Sequence, residues 1–231
     1  MELKWSLARA STQETAVEAI SLAVQQMGFE HFAYGLRWPQ SFTRPRTLMV
    51  SSYPRHWQQR YLEAGYVAQD PTVAHGLRSC APLVWSDDVF ATAPSLWREA
   101  QAAGLRAGWC QSCFDADGCA GLFTVARSGE PIGRKELARA DPELRWLANT
   151  VHLGLGSLVR RAEGLQVAAL TRRQLEVLRW SADGKTCVEI AQILLVTPDT
   201  VNYHLQMAMT RLGAPNKMAL VARAAKLGLL G

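Results

Sequence analysis

The most restrictive feature of this sequence is a series of helix N-terminal caps in its last third. A Thr or Asn side chain can accept a hydrogen bond from a backbone N–H of the first turn, and Glu or Gln three residues later completes a capping box. The predicted caps are Thr171 with Gln174, Thr186 with Glu189, Thr197 before Pro198, and Asn216. The helices that begin there are predicted to end near residues 182, 194, 212 and 228, and glycine closes three of them.

Residues 167–231 are therefore predicted to form an all-α domain of four helices. A three-residue turn, 195–197, joins its second and third helices, which is typical of a helix-turn-helix. Residues 166–231 carry eight Lys and Arg against four Asp and Glu, whereas residues 1–165 carry 17 against 16. This local positive excess suits contact with a polyanion. An ordinary four-helix module that does not bind DNA is the alternative.

The third predicted helix has two distinct faces. An apolar stripe recurs at steps of four and three residues and is expected to be buried; it consists of Val201, Leu205, Ala208 and Leu212. A polar face holds Asn202, Gln206 and Thr210, with Tyr203 beside them and Arg211 near its end. Asn and Gln can bond bidentately to adenine in the major groove. We expect this face to read bases, although simple solvent exposure would give the same pattern. Candidates for phosphate contacts are Arg172, Arg173, Lys185, Lys217 and Arg223.

The part of the chain before residue 165 has a mixed pattern and holds seven of the eight tryptophans. Helical and strand patterns alternate irregularly, so the fold class is predicted to be α+β, with an N-terminal α/β/α sandwich. The richness of this part in tryptophan and tyrosine is typical of a domain with a ligand pocket. The predicted helices are 12–27, 54–63, 94–103 and 134–161, with another starting at Asp70-Pro71; the predicted strands are 32–36, 47–51, 108–114 and 121–127, and 38–46 is a loop. The last helix is expected to be interrupted at Asp141-Pro142. The predicted domains are 1–162 and 167–231, joined by a linker at 163–166.

Several functions are excluded by what the sequence lacks. Cys110-x-x-Cys113 with Cys119 hints at metal or redox chemistry, but no second ligand pair or nearby histidine accompanies it, so buried free thiols are the preferred interpretation. The five histidines are scattered and no G-x-S-x-G occurs, so neither catalysis nor a metal site is predicted. No secretory signal and no long apolar run are present, so we expect a cytoplasmic protein without membrane contact.

The helical third of the chain resembles the LuxR-type DNA-binding domain. The match begins with residues 170–184 and continues through Lys185-Thr, Glu189-Ile-Ala, Thr200-Val-x-x-His204, Leu212-Gly-Ala and Asn216-Lys217. The DNA-binding residues that the pattern and the resemblance together predict are Lys185, Thr200, Asn202, Tyr203, Gln206, Thr210, Arg211 and Lys217. One position departs from the family, because Gln174 stands where Glu is usual, and its bond to a basic partner in the helix cluster is expected to be weaker.

This C-terminal signal is shared by response regulators and quorum-sensing receptors, and the N-terminal part separates the two. A phosphorelay receiver needs an acidic pair near its start, yet no Asp precedes Asp70. The N-terminal part instead resembles the acyl-homoserine lactone-binding domain of quorum-sensing LuxR receptors. The residues that carry this resemblance are Tyr53-Pro54-x-x-Trp57-x-x-x-Tyr61, Tyr66, Asp70-Pro71, Trp85, Trp97 and Gly108.

The resemblance implies roles for individual side chains around an N-acyl-homoserine lactone. Trp57 would donate its indole N–H to the lactone carbonyl, and Asp70 would accept the ligand amide N–H. Tyr53 and Thr124 would donate to the acyl carbonyl. The ring and chain would be walled by Tyr61, Tyr66, Trp85 and Trp97. The acyl-chain length itself is not predicted from the resemblance, and variation in Leu36, Val73 and Leu122 is expected to shift it. Core packing is the alternative for each aromatic residue, and a helix N-cap is the alternative for Asp70.

The predicted protein is thus a quorum-sensing transcriptional regulator without a cofactor, whose small-molecule autoinducer is an N-acyl-homoserine lactone. It is expected to bind double-stranded DNA as a homodimer at an inverted repeat, that is, a palindromic promoter site. RNA polymerase would be a further partner if the protein is an activator. The alternative is a solo LuxR-type regulator that responds to a different small molecule.

Overall fold

The computed structural model describes residues 10–38, 46–165 and 168–230. These residues divide into two compact units. The N-terminal unit contains residues 10–37, 47–114 and 120–164, and the C-terminal unit contains the helices that follow residue 165. Most of the predicted loop at 38–46 and the last residue of the predicted linker at 163–166 lie outside the described residues. The proposed domain boundaries themselves stay a prediction.

The N-terminal unit contains five α-helices, five strands and one 3-10 turn within the described residues. In chain order these are α1 (Gln13–Gln26), β1 (His31–Trp38), β2 (Arg46–Ser51), α2 (Arg55–Glu63), the 3-10 turn (Tyr66–Ala68), α3 (Pro71–Gly76), β3 (Leu83–Val84), α4 (Pro94–Ala102), β4 (Ala107–Phe114), β5 (Ala120–Arg127) and α5 (Arg134–Ala162). The sequence pattern predicted each of them except β3 and the 3-10 turn. Two- and three-residue elements are too short to show a periodicity.

One five-stranded sheet, in the order β2-β1-β5-β4-β3, organises this unit. The strands β1 and β4 both pair antiparallel with β5, so Cys110 and Ala33 lie on either side of Thr124. Side chains of successive residues point to opposite faces. On one face α5 packs against β4 and β5, and α1 packs against α5. On the other face Ala126 shares a buried cluster with Trp57 and Trp97, from α2 and α4. The predicted α/β/α sandwich is confirmed.

The α5 face of the sheet contains a buried polar pair. The hydroxyl of Tyr34 and Nδ1 of His152 are 2.8 Å apart, and both side chains are almost fully buried. A Cβ atom on either Gly121 or Gly156 would overlap with the tyrosine hydroxyl, so both positions require glycine. This close approach draws α5 tightly onto β5.

The predicted interruption of the long helix is wrong, because α5 runs through Pro142 without a break. Proline removes one backbone donor and costs about 3 kcal/mol in a helix interior. Against this, Leu144, Leu147 and Val151 are completely or almost completely buried, each contributing about 1.5–3 kcal/mol. Trp109 of β4 also donates its indole N–H to Asp141 at 3.2 Å. Tertiary packing therefore outweighs the local signal.

The C-terminal unit consists of α6 (Arg172–Ala182), α7 (Cys187–Leu194), α8 (Pro198–Leu212) and α9 (Lys217–Lys226) within its described residues. All four predicted caps are confirmed: Thr171, Thr186, Thr197 and Asn216 each accept a hydrogen bond from a backbone N–H in the helix they precede. Val201, Leu205 and Ala208 pack in the core with residues of the other three helices. In the described part of the chain no helix is both long and apolar enough to cross a bilayer.

The turn between α7 and α8 contains an unusual backbone. Leu195 has φ of +53°, and it is the one residue other than glycine with a positive φ among those described. Its side chain is 92% exposed. For an L-residue this left-handed conformation costs roughly 1–2 kcal/mol. The leucine therefore occupies a turn position that does not suit it and gains little from packing.

Candidate functional site

The face of the sheet opposite α5 is covered by aromatic side chains from α2, α4 and the loops next to them. Trp57, Tyr61 and Tyr66 form one group, with ring centroids 5.9–6.1 Å apart. Trp85, Phe90 and Trp97 form a second group, in which Phe90 stacks on Trp97 at 4.5 Å. The structure therefore brings together the aromatic residues that the sequence assigned to one site.

Asp70 is the acidic side chain within this aromatic lining. It caps α3, where Pro71 takes the first helical position, and its Oδ1 accepts from the backbone N–H and the hydroxyl of Thr72 at 2.8 and 2.6 Å. Its Oδ2 accepts the hydroxyl of Tyr61 at 2.9 Å. A carboxylate has about four acceptor positions. Three are occupied, so Asp70 is a helix cap that keeps one acceptor position for another donor.

Protonated donors surround this carboxylate. Burial raises the pKa of the Tyr53 hydroxyl, and the charge of Asp70 raises it further. Burial and Asp70 raise the pKa of Tyr61 in the same way. The thiol of Cys110 also has a raised pKa, first because of burial and then because of Asp70. At neutral pH these groups stay neutral and can donate hydrogen bonds beside a single negative charge.

Thr124 and Cys110 form the floor of the site. They lie directly opposite each other on β5 and β4, and the Thr124 side chain is buried. Sequence reasoning did not assign Cys110 to the site, because its place depends on the pairing of two strands. Cys110 lies two residues after Gly108, and alternate residues of a strand share a face. This spacing was the signal in the sequence that could have placed Cys110 in the site.

The remaining aromatic residues have different positions. Trp85 lies flat against Gly108, where a Cβ atom would come within 2.5–2.8 Å of the indole ring, so the glycine creates the space for it. Trp97 donates its indole N–H to Asp87 at 2.6 Å, which leaves only its ring available to line the site. At the outer edge, Arg60 of α2 donates two hydrogen bonds to Glu99 of α4, at 2.7 and 3.0 Å. This pair lowers the pKa of Glu99 to about 2.

One residue assigned to the acyl-chain channel lies elsewhere. Leu36 pairs with Gly121, so its side chain is on the α5 face of the sheet and cannot reach the aromatic site. Leu122 is on the site's own face, since its Cδ1 approaches Gly76 of α3. Val73 lies on the same helix, α3. An error of one residue in strand register would reverse these assignments.

The exposed side of α8 is the second candidate site. Asn202, Tyr203, Gln206 and Thr210 are all exposed, while residues 201, 205 and 208 of the apolar stripe are buried and Leu212 is only partly buried. The division of α8 into two faces is therefore confirmed, and base contact by the exposed face stays a prediction. The side chain of Gln206 makes no hydrogen bond within the described residues, which leaves its amide fully available. Thr210 donates to the backbone oxygen of Gln206, and the hydroxyl of Thr200 is 2.9 Å from that of Thr197.

Comparison with known proteins identifies the two units. Residues 12–155 match the autoinducer binding domain, and residues 168–224 match the bacterial regulatory proteins of the luxR family. The chain belongs to the LuxR family. It is 41% identical to the transcriptional activator protein AnoR of Acinetobacter nosocomialis, over 94% of this chain and 93% of AnoR.

Solved structures agree with this assignment. The complex of SdiA, a regulatory protein of Escherichia coli, with octanoyl-rac-glycerol superposes with a TM-score of 0.85 and 31% identity, over 99% of this chain and 94% of that one. The N-acylhomoserine lactone-dependent factor CepR2 of Burkholderia cenocepacia gives a TM-score of 0.64 and 30% identity, over 68% and 94%. This LuxR-family chain is therefore an autoinducer-binding transcription regulator of the quorum-sensing type and not an enzyme.

Several cations of the LuxR-type DNA-binding domain are used in its own packing. Arg211 donates to the backbone oxygen of Ala169 at 2.9 Å and to Oε1 of Gln174 at 3.2 Å. Lys217 donates to the backbone oxygen of Lys185 at 3.4 Å. Arg173 and Arg223 also donate to backbone oxygens, at Leu194 and Leu212. Phosphate contacts stay a prediction for all these residues. Arg172 and Lys185 are the candidates whose charged groups have no hydrogen-bond acceptor within the described residues.

Gln174, which stands where the family usually has Glu, connects α6 with α8. Gln174 is 4% exposed, completes the capping box of α6 and receives Arg211 of α8. The expected basic partner therefore exists, and it is Arg211. Gln174 has a neutral amide where the family usually has a carboxylate. In the hydrogen bond between α6 and α8 only the donor, Arg211, is therefore charged.

Proposed function

We propose that the autoinducer of this protein is an N-acyl-homoserine lactone held by Asp70. The observation that carries the proposal is the remaining acceptor position of this carboxylate, inside a site whose other polar groups are donors. An amide N–H is the one donor that such a lactone has, and each of its carbonyl oxygens needs a donor. Trp57 would serve the lactone carbonyl, and Tyr53 with Thr124 would serve the acyl carbonyl. Tyr61, Tyr66, Trp85 and Trp97 would enclose the apolar parts.

A second candidate ligand is an acylglycerol. The SdiA complex with octanoyl-rac-glycerol supports it, because that ligand has an acyl chain but neither a lactone ring nor an amide. CepR2, in contrast, is described as dependent on an N-acylhomoserine lactone. The amide N–H distinguishes the two classes chemically, since an ester places an oxygen where the amide has its donor. At this position Asp70 favours the amide, because the ester oxygen is an acceptor that repels the carboxylate. An acylglycerol could donate to Asp70 only through its glycerol hydroxyl groups.

The experiment compares N-octanoyl-homoserine lactone with its ester analogue, in which oxygen replaces the amide nitrogen. A hydrogen bond to a charged group contributes about 1.5–3 kcal/mol, so the ester should bind about 10- to 150-fold more weakly. Ligand binding is measured by the rise in melting temperature, which follows the ratio of ligand concentration to Kd. Octanoylglycerol is the third ligand. Equal affinity for amide and ester would contradict the role of Asp70, and preference for octanoylglycerol would favour the second candidate.

We further propose that residues 1–162 form the ligand-binding and dimerisation domain, connected through 163–166 to the DNA-binding domain at 167–231. Trp146 and Leu153 support a homodimer, because they lie two turns apart on α5 and are 44% and 69% exposed. A dimer would present two copies of α8 to half-sites about 10–10.5 base pairs apart, which requires an inverted repeat. Activation would in addition involve RNA polymerase.

Sedimentation of the full chain tests the dimer. Replacing Trp146 and Leu153 together with Ser should give a monomer that binds a single half-site no more weakly than wild type but loses the preference for the inverted repeat. Leu62→Ser is the matched control, since Leu62 is an exposed leucine on α2. An unchanged dimer in the double variant would assign the interface to another surface.

A further inference from the structure

Cys187 is linked directly to a side chain on the DNA-facing side of α8. It is the first residue of α7, and its thiol donates a hydrogen bond to Oδ1 of Asn202 at 3.1 Å. Cys187 is half-buried against the core of the C-terminal unit, while Asn202 is exposed. The bond thus connects the two helices of the helix-turn-helix and ends on a residue proposed to read bases.

Both ends of this bond have well-defined positions. The capping box before α7 is complete, because the backbone N–H of Thr186 donates to Oε2 of Glu189 at 2.8 Å and the backbone N–H of Glu189 donates to the hydroxyl oxygen of Thr186 at 3.3 Å. On α8, Asn202 follows Val201, which is completely buried. The sulfur atom is therefore held by a fixed helix start, and the asparagine backbone is held by a fixed core residue. What the bond determines is the orientation of the carboxamide.

A carboxamide has an acceptor oxygen on one side and a donor NH2 group on the other. Recognition of adenine uses both, because the oxygen accepts from N6 and the NH2 group donates to N7. The thiol occupies one of the two lone pairs of Oδ1, so one lone pair and both N–H groups stay available. A carboxamide that is already oriented loses less rotational freedom when it meets a base than one that turns freely.

We propose that Cys187 is a positioning residue for base recognition, whose thiol fixes the carboxamide of Asn202 in the orientation that reads one base pair of each half-site. This inference rests on the proposed contact between Asn202 and DNA. Cys187 itself does not touch the base. Its effect is specific to one position of the site, whereas a residue that merely stabilises the fold would affect every position equally.

The experiment selects binding sites from a randomised duplex pool with full-length protein, produced in cells given a mixture of short-, medium- and long-chain acyl-homoserine lactones. The variants are Cys187→Ala, Cys187→Ser, Asn202→Ala and, as a matched control, Cys80→Ala, since Cys80 is an exposed thiol of the N-terminal unit. Cys187→Ala should lose about two- to tenfold of the preference at the one symmetric position that Asn202→Ala also loses. Cys187→Ser keeps a donor and should restore the wild-type preference, and Cys80→Ala should not change it.

The outcomes separate this inference from the proposed function. If Asn202→Ala changes one position and Cys187→Ala changes none, the inference is wrong and the DNA contact of Asn202 stands. If Asn202→Ala changes no position, the proposed contact is wrong and the inference falls with it. A loss of affinity in Cys187→Ala that is uniform over all sequences, or a Ser variant that behaves like the Ala variant, would assign the thiol a purely structural role and overturn the inference.

Discussion

The aromatic site around Asp70 and the exposed polar side of α8 both present polar side chains, but the residues within each site depend on one another to different degrees. Around Asp70, Tyr61 and Thr72 donate to one carboxylate, and each comes from a different element. On α8, Asn202, Gln206 and Thr210 lie four residues apart on a single helix. The first arrangement is a network in which removal of one partner leaves others unsatisfied. The second is a row of residues that can be exchanged nearly independently.

The largest effect is expected from the centre of the network. Asp70→Ala should weaken binding of N-octanoyl-homoserine lactone about 10- to 150-fold and cost about 1 kcal/mol of stability through the lost cap of α3. Combined with Tyr61→Phe, the two changes should be non-additive by about 0.5–3 kcal/mol. Ligand titration followed by thermal unfolding measures both quantities. Asp88→Ala is the control, since Asp88 is exposed. Strictly additive losses would show that the site is not a network.

A slightly smaller effect is expected on α8. Gln206→Ala should cost about 1–3 kcal/mol on the selected inverted repeat and much less on scrambled DNA. Lys185→Ala should weaken binding to both duplexes alike and reduce the salt dependence by about one unit of slope. The measurement is a salt titration of each variant on both duplexes, with Gln192→Ala on the exposed side of α7 as the control. If Gln206→Ala weakens binding to both duplexes equally, Gln206 does not read bases, and Tyr203 or Thr210 becomes the next candidate.

Arg211 differs from the other polar residues of α8, because its side chain bonds to Gln174 of α6. Gln174→Glu should stabilise the C-terminal unit by about 1 kcal/mol, since a bond between two charged groups is stronger. The new carboxylate would have its pKa lowered by Arg211, so the gain is present above pH about 4.3 and is lost as the pH falls below it. Melting curves between neutral and acidic pH measure it, with Gln192→Glu as the control. Destabilisation at neutral pH would show that desolvation of the buried charge dominates.

The smallest effect is expected at the turn between the two helices of the helix-turn-helix. Leu195→Asn should stabilise the protein by about 0.5 kcal/mol, because Asn tolerates the left-handed conformation better than Leu. Leu22→Asn changes an exposed leucine within α1, where Asn has the lower helix propensity, and should destabilise slightly. Calorimetric unfolding measures the change in stability of each variant relative to the wild-type protein. A loss of stability in Leu195→Asn would mean that the exposed leucine has a packing partner.

The features that the sequence predicted correctly lie within single helices, and the features that it did not predict depend on contacts between separate elements. The caps and the stripe of α8 depend on residues three or four positions apart, so all four C-terminal helices were predicted correctly. The continuity of α5 through Pro142 depends on Trp109 and on sheet packing, which no local pattern contains. Leu36 was assigned to the wrong face because strand register is set by a partner about 85 residues away, at Gly121.

The candidate site was predictable to a similar extent. Its aromatic residues and Asp70 came from the family resemblance, and the structure brings them together. The hydrogen bonds of Asp70 to Tyr61 and of Arg211 to Gln174 could not be derived, because each joins separate elements through side-chain geometry. Cys110 was missed for the same reason.

The alternation along β5 has a consequence for how such receptors can diverge. Leu122, Thr124 and Ala126 face the aromatic site, whereas Gly121, Phe123 and Val125 face α5. Mutations that alter ligand preference and mutations that abolish the fold are therefore interleaved one residue apart on the same strand. A library that randomises only residues 122, 124 and 126 would vary the lining of the aromatic site and would leave the residues that face α5 unchanged. Random mutagenesis of the whole strand would also change Gly121, which has no room for a Cβ atom, and the buried Phe123 and Val125.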